Sequence, residues 1–487
     1  MFDLRQYKDN IAIITDKGMC VSYRELLNAQ EKLFNLIKER ELVLILCDNV
    51  LGSLIGYTCC MINRVVPILV DCNINVERLN NLLNLYRPNY IWMPKYLNLF
   101  NNTKAIYENW EYKLVPYTLD KKHNIYEELA LLLPTSGSTG SVKMVRISYE
   151  NIRENAKSII QYLDIKSSDR AITSLPMCYT FGLSIINTHL YTGACILLTN
   201  KKVFDIKFWL FFNTYSGTSI SGVPYTYSIM KKMNIGNMNL PTLNTLTQAG
   251  GKLTKEECKY FVDFACKNNC RFYVMYGQTE ATARISYVPY DMVKEKMSSI
   301  GISVPGGTLE LRNMKKNKIC TPYLVGELVY RGKNVSLGYA HNFKDLILGD
   351  DNKHILYTGD LGYFDNDNYF YLTGRIDRII KILGYRVSLD ELEKILEDKA
   401  KQWEKENTQY IMGVRMNPLG INPYLLDNAY SANQVTSENF THEVFLLPSQ
   451  SESFSYYVSK IPNKIVVKTD KKIHHFKTFK SFFVDFQ

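Results

Sequence analysis

Five hydroxyls, three of them within residues 136–139, two glycines and a lysine crowd into one short run, Pro134-Thr-Ser-Gly-Ser-Thr-Gly-Ser-Val-Lys-Met-Val145. Glycine tolerates positive φ, so Gly137 and Gly140 let backbone N–H groups converge on one anion. Amides arranged in this way form a concavity that suits phosphate. Ser136, Ser138 and Thr139 add donors, a hydroxyl can also touch a phosphate-bound magnesium ion, and Lys143 adds a point charge. The plainer alternative is a Ser/Gly-rich surface loop. The run is not a Walker A sequence, which needs G-x-x-x-x-G-K-[ST] opening a helix. Here Lys143 comes three residues after Gly140, and Met144–Ile147 reads as a strand.

Three further segments carry chemistry. Tyr276-Gly277-Gln278-Thr279-Glu280 comes after the strand-like Phe272–Met275. A glycine at a strand end with a carboxylate just beyond suits a nucleotide and a metal, because open α/β sheets place ligands at the carboxyl ends of their strands. In Tyr357-Thr358-Gly359-Asp360 an aspartate after a tight turn is a natural bidentate acceptor for ribose hydroxyls. Gly374-Arg375-Ile376-Asp377-Arg378-Ile379-Ile380-Lys381, with Gly384-Tyr385-Arg386, is in isolation a charged turn.

Taken in order, these segments resemble the signatures of the adenylate-forming superfamily: acyl-CoA synthetases, adenylation domains of nonribosomal peptide synthetases, and luciferases. The resemblance covers nearly the whole chain. It implies that Thr135, Ser136, Ser138, Thr139 and Lys143 hold the phosphates of ATP, with Thr139 and Glu280 on magnesium. It implies that Gly250 and Gly251, with Tyr276, Gly277, Gln278 and Thr279, line the adenine and α-phosphate site. Asp360 and Arg375 would hold the ribose, and Asp377 would be the hinge of a mobile C-terminal domain. The implied reaction is attack of a carboxylate on the α-phosphorus of ATP, then transfer of the acyl group to a thiol of coenzyme A or of 4′-phosphopantetheine on an acyl carrier protein. A basic C-terminal region would suit an acidic carrier by complementary charge, and equally the 3′-phosphate of coenzyme A.

The chain departs from that pattern in places. The superfamily's C-terminal lysine stands in P-x-x-x-x-G-K, and no Gly-Lys occurs after residue 459. The matching position is Lys477, with Phe476 in place of glycine, and Lys468 and Lys472 are rivals. Val142 and Met144 flank Lys143 where proline and glycine are usual, and Tyr149 stands where a histidine is often found. The acid pocket would include Tyr179, Phe181, Val223, Pro224 and Tyr225. Amino-acid-activating relatives carry an aspartate in the segment matching 179–184, which here is Tyr-Thr-Phe-Gly-Leu-Ser. A non-amino carboxylic acid is therefore expected, with an amino-acid-adenylating, carrier-loading enzyme and a non-catalytic nucleotide-binding protein as rivals. The loop together with the run 179–190 also resembles, more weakly, a stand-alone subgroup found with bacterial surface-polysaccharide genes. His189, on an apolar helix, reads as a core residue.

The elements that must position these residues alternate. Leu42–Cys47, Val65–Val70 and Tyr90–Met93 read as strands, and 51–62 and 76–85 as helices, which argues a doubly wound parallel sheet. Ser148 reads as the N-cap of a helix over 149–163. A second alternating region spans 171–285, with helices at 183–192, 204–213, 224–233 and 254–268 and strands at 194–199 and 271–275. Frequent glycines from 300 to 375 predict hairpins and a small β-barrel. The expected organisation is α/β: an adenylation core over 1–376 and a small α+β lid over 377–487, with a helix at 388–399.

With 46% hydrophobic and 22% charged residues in a chain of 487, the composition is that of a soluble globular protein. No apolar run reaches the roughly 18–20 residues of a membrane span. The N-terminus has no apolar signal core, so a cytoplasmic protein with reduced cysteines is expected. The net charge of +10 is spread along the chain except near the C-terminus, and no interleaved aromatic and basic pattern favours a nucleic-acid partner.

Overall fold

The computed structural model describes residues 4–100, 103–119, 123–134 and 143–376, and as backbone six strands beyond residue 378. Thr135, Ser136, Ser138, Thr139, Asp377, Lys477 and residues 389–399 of the expected helix lie outside the described residues. The chain divides into two compact units, 1–358 with 362–372, and 359–361 with 373–487.

Two large sheets build the first unit. One has eight strands in the order Gly338–Ala340, Met144–Ser148, Leu129–Pro134, Val66–Asp71, Leu42–Cys47, Tyr90–Pro94, Tyr112–Pro116, Tyr107–Asn109. Its centre is parallel. Leu42–Cys47 is buried along its whole length, as a strand covered on both faces must be. Leu42, Leu44 and Leu46 pack with Leu79, Leu82 and Leu83 of the helix Val76–Tyr86. The alternate residues Val43 and Ile45 pack with Leu54 and Ile55 of the helix Leu51–Ile62. Period-two alternation thus gives the sheet two buried faces.

The second sheet has nine strands, in the order Ile302–Ser303, Ser286–Val288, Arg271–Tyr276, Thr245–Gln248, Ser219–Gly222, Arg170–Ile172, Cys195–Leu198, Ile11–Thr15, Cys20–Ser22. Its six middle strands, from Arg271–Tyr276 to Ile11–Thr15, run parallel. Ile13 and Ile196 of this sheet share one core with Ile45 and Leu131 of the first, and with Ile186 and Leu190 of the helix Thr180–Thr192. The stretch expected as a barrel forms a five-stranded sheet, ordered Lys318–Ile319, Gly307–Arg312, Gly326–Gly332, Ile355–Phe364, Phe370–Arg375.

In the second unit, Ile379–Ile382 pairs antiparallel with Tyr385–Ser388. Glu443–Leu446, Tyr456–Ile461, Lys464–Thr469 and Lys472–Phe476 make an antiparallel four-stranded sheet. All eleven cysteines are free. No helix among the described residues is long and apolar enough to cross a membrane.

Candidate active site

Two neighbouring parallel strands end level, with Gly222 opposite Gln248, and the third runs two residues further, Gln248 being opposite Val274 and the strand ending at Tyr276. The segments leaving these strands are therefore brought to one edge: Val223-Pro224, Ala249-Gly250-Gly251 and Gly277-Gln278-Thr279-Glu280. This carboxyl edge of parallel strands is where open α/β sheets hold ligands. Gly250 has φ +79°, and a Cβ there would lie 2.8 Å from the Tyr179 hydroxyl and 3.1 Å from Val223 Cγ1. A Cβ on Gly251 would lie 2.9 Å from Pro224 Cγ. Tyr179, Val223 and Pro224 thus close directly on the two glycines. Phe181 is buried and meets Tyr179 edge-on, with 6.4 Å between ring centroids. Tyr225 is exposed.

Gly277 turns the chain so tightly that a Cβ there would stand 1.7 Å from the Ala283 carbonyl oxygen. Gln278 Nε2 donates to the Thr358 carbonyl at 3.1 Å and to the Tyr276 hydroxyl at 3.2 Å. Thr180 Oγ1 donates to Thr279 Oγ1 at 2.9 Å, which ties the helix Thr180–Thr192 to this turn. The Glu280 carbonyl accepts from Ser336 N at 2.8 Å.

Lys143 stands just before Met144, which pairs with Pro134. The next strand out, Gly338–Ala340, sets Tyr339 beside Val145. The Tyr339 hydroxyl donates to Glu280 Oε1 at 2.7 Å, and Lys143 Nζ sits 3.9 Å from the centre of the same ring. A cation over an aromatic face is attracted by the ring quadrupole. One tyrosine therefore joins the lysine of the first motif to the glutamate of the second. No sequence motif singled out Tyr339; its place between the two comes from strand pairing.

Arg146, two residues past Met144, is fully buried and saturated. It donates to the Tyr339, Leu337 and Gly349 carbonyls at 3.0 Å, to the Leu348 carbonyl, and to the Asp351 carboxylate. Asp360 and Arg375, the expected ribose ligands, both fall in the second unit. They form an ion pair there, with Nη1 3.1 Å from Oδ1.

A second buried arginine was missed by motif reading. Arg284, only 2% exposed, lies with Cζ 4.1 Å from the Phe181 ring centre. Burial pushes the Tyr162 hydroxyl up to about 12 against the pull of the Arg284 charge, and burial likewise raises Tyr179. The signal that could have found Arg284 is one full charge in the otherwise uncharged run Ala283–Val288, next to a recognised motif. His189 is buried, and its Nδ1–H donates to the Ile185 carbonyl at 2.9 Å. Burial lowers its pKa and keeps it neutral, as a core histidine should be.

Among the described residues no group of three or more His, Cys, Asp or Glu could hold a metal alone. Magnesium is commonly held by one or two carboxylates together with substrate phosphates. Glu280 is a hard oxygen donor of that kind.

The family profile described as AMP-binding enzyme matches residues 3–340. Luciferin 4-monooxygenase from Luciola mingrelica is 28% identical over 278 residues, which is 56% of this chain and 50% of that protein, so the chain spans about half the length of that relative. D-alanine–D-alanyl carrier protein ligase from Staphylococcus haemolyticus is 25% identical over 404 residues, 80% of each chain. The o-succinylbenzoate coenzyme A synthetase of Bacillus subtilis shares the fold. Its complex with the acyl-adenylate OSB-AMP superposes with a TM-score of 0.68 at 20% identity, covering 81% of this chain and 82% of that one. Its complex with ATP and magnesium gives 0.66 at 20% identity, covering 82% and 84%. The profile runs from the first strand of the chain through Lys143 and Glu280 to Tyr339 and Ala340, and the chain belongs to the AMP-binding enzyme family.

Proposed function

We propose that this chain activates a carboxylic acid with ATP and passes the acyl group to a thiol. The observation that carries the reading is the Lys143–Tyr339–Glu280 cluster, in which Glu280 stands on the segment that leaves the parallel strand Arg271–Tyr276. A carboxylate oxygen bonds to the α-phosphorus, the α–β bridging bond breaks, and pyrophosphate leaves with the electron pair. A thiol sulfur then bonds to the acyl carbon, AMP leaves, and the thiol proton passes to solvent.

The chain's part in the first step is placement and charge neutralisation. Lys143, held on the Tyr339 face, offers its ammonium to the phosphates. Thr135, Ser136, Ser138 and Thr139 belong to the same phosphate loop in this reading. Glu280, oriented by the Tyr339 hydroxyl, would hold magnesium with Thr139. When bound, the metal neutralises phosphate charge. The open turn at Gly250-Gly251 admits the adenylate, while Tyr179, Phe181, Val223 and Pro224 receive the acid. Asp360 and Arg375 would take the ribose, Asp377 would be the hinge and Lys477 the C-terminal charge donor. The acceptor is coenzyme A or the phosphopantetheine of a carrier protein. The solved relative bound to ATP and magnesium, and the carrier-protein ligase among the sequence relatives, support this class of reaction. The positive charge of Arg284 beside Phe181 disfavours a substrate ammonium there.

ATP–pyrophosphate exchange against a panel of carboxylic and amino acids tests the reading. Exchange with a carboxylic acid supports it, and its abolition by Glu280→Gln would tie it to this site. No exchange with any acid would remove it.

A further inference from the structure

We propose that Arg284 is a specificity residue that receives a second carboxylate at the far end of the acid, so that the chain selects short dicarboxylic acids. This rests on the acid-activating reading above.

Arg146 and Arg284 are both buried in the first unit, and their surroundings differ. Arg146 spends its donors on four carbonyls and the Asp351 carboxylate. Arg284 has no ion pair among the described residues, and its Nε has no hydrogen-bond partner. Its near neighbours are the Phe181 ring, the Tyr162 phenol, with which it hydrogen-bonds, and the Tyr179 phenol. A buried charge without a counter-charge is costly to maintain. A guanidinium at that depth whose partners are phenols and no carboxylate fits a structure whose anion arrives from outside.

Its location fits a substrate anion. Tyr179 abuts Gly250, Phe181 is next at 6.4 Å between ring centroids, and the guanidinium lies 4.1 Å from the Phe181 centre. Arg284 thus stands directly behind Tyr179 and Phe181, close enough to the two glycines that the proposed ligand is a carboxylate on a short acid. Arg284 also borders a cavity of about 30 Å³ with Ser184, Thr188, His189, Ser221 and Thr247. That space holds a water or two. Its hydroxyls are already engaged: Ser221 with Thr247 at 2.7 Å, Ser184 with the Phe181 carbonyl at 2.7 Å, and Thr188 with the Ile185 carbonyl at 2.9 Å. Asp169 borders the same cavity, but its Oδ2 accepts from Lys166 N at 2.7 Å and it makes no ion pair with Arg284. Arg271, also on its border, donates to Thr245 Oγ1 at 3.0 Å and pairs with Asp164 at 3.9 Å. Among the described residues around the cavity, Arg284 is left as the strong donor for a new carboxylate, and Arg presents a planar fork that matches one.

The test is pyrophosphate exchange by the full-length chain with malonate, succinate, glutarate and adipate, each against the monocarboxylate of equal carbon number. The expected result is a kcat/KM at least about 10-fold higher for one dicarboxylate, in line with a charged hydrogen bond. Arg284→Met should cut that kcat/KM roughly 10- to 100-fold, mainly through KM, and Arg284→Lys should restore part of it. A merely structural arginine would not change the ratio of dicarboxylate to monocarboxylate. Should Arg284→Met fail to fold, the wild-type ratio decides. Equal or better exchange with monocarboxylates overturns the inference and leaves the proposed reaction standing. Dicarboxylate exchange indifferent to Arg284→Met also overturns it. No exchange with any acid removes the proposed reaction, and this inference with it.

Discussion

Tyr339 carries the strongest residue-scale expectation. Its hydroxyl holds Glu280 and its ring carries Lys143, so two substitutions separate the two contacts. Tyr339→Phe keeps the ring and loses the donor to Glu280. A hydrogen bond to a charged group contributes about 1.5–3 kcal/mol, so the rate of pyrophosphate exchange should fall roughly 10-fold or more. Tyr339→Ala should fall further, because Lys143 then loses its platform as well. An unchanged rate for Tyr339→Phe would show that the bond to Glu280 plays no part in turnover. Lys143, Glu280 and the strand-end glycines were legible as residue types at motif spacing. Tyr339 was not, because nothing local distinguishes one tyrosine among 35, and Arg284 had only the faint local mark of one charge in an uncharged run.

At the scale of the element, the strand Met144–Ser148 is held by Arg146 as well as by its neighbours. Arg146→Met removes donors to four carbonyls, that of Leu337 in a fully buried bond. Asp351, whose side chain stays 56% exposed, can be rehydrated. The expected loss is about 3 kcal/mol of folding stability, read from urea unfolding, together with lower exchange activity as Lys143 and Tyr339 drift apart. A loss within about 0.5 kcal/mol would show that the clamp is not needed. The helix Tyr149–Leu163 was readable with its cap, since Ser148 Oγ accepts from Asn151 N at 3.0 Å. Ser148→Ala should cost about 1 kcal/mol. The helix at 183–192 was read three residues short. It begins at Thr180 with no side-chain cap and with Gly182 in its first turn. A Cβ on Gly182 would stand 2.2 Å from the Pro176 carbonyl. That start is set by close chain packing, which leaves no capping signal.

At the scale of the whole molecule, buried His189 links folding to acid. Its folded pKa lies below the unfolded value of about 6.5, because burial penalises the charged ring. Above that value both states are neutral and the stability is intact. As pH falls below it, the unfolded chain takes up a proton that the folded chain refuses, and stability drops by up to about 1.4 kcal/mol per pH unit. Urea unfolding at pH 7.5, 6 and 5 should show that slope, and His189→Asn should flatten it; an unaltered slope would place its origin elsewhere. The proposed two-step reaction makes its own global prediction. Lys477→Ala should slow adenylation by roughly 10²–10³, yet spare thioester formation from supplied acyl-adenylate. Unchanged adenylation would move the role to Lys468 or Lys472.

Apolar periodicity and glycine placement are local, so the alternation of strands and helices and the order of the motifs could be read from the chain alone. The sequence also indicated which strand ends carry the glycines and carboxylates of the site. Only the tertiary structure decided that Lys143 and Glu280, 137 positions apart in the chain, meet across one tyrosine. That meeting depends on the antiparallel pairing of Gly338–Ala340 with Met144–Ser148, a non-local contact with no period of its own. The contrast between Arg146 and Arg284 has the same origin. Both are arginines in strand-like runs, and only packing decides which finds a carboxylate and which is left facing a pocket.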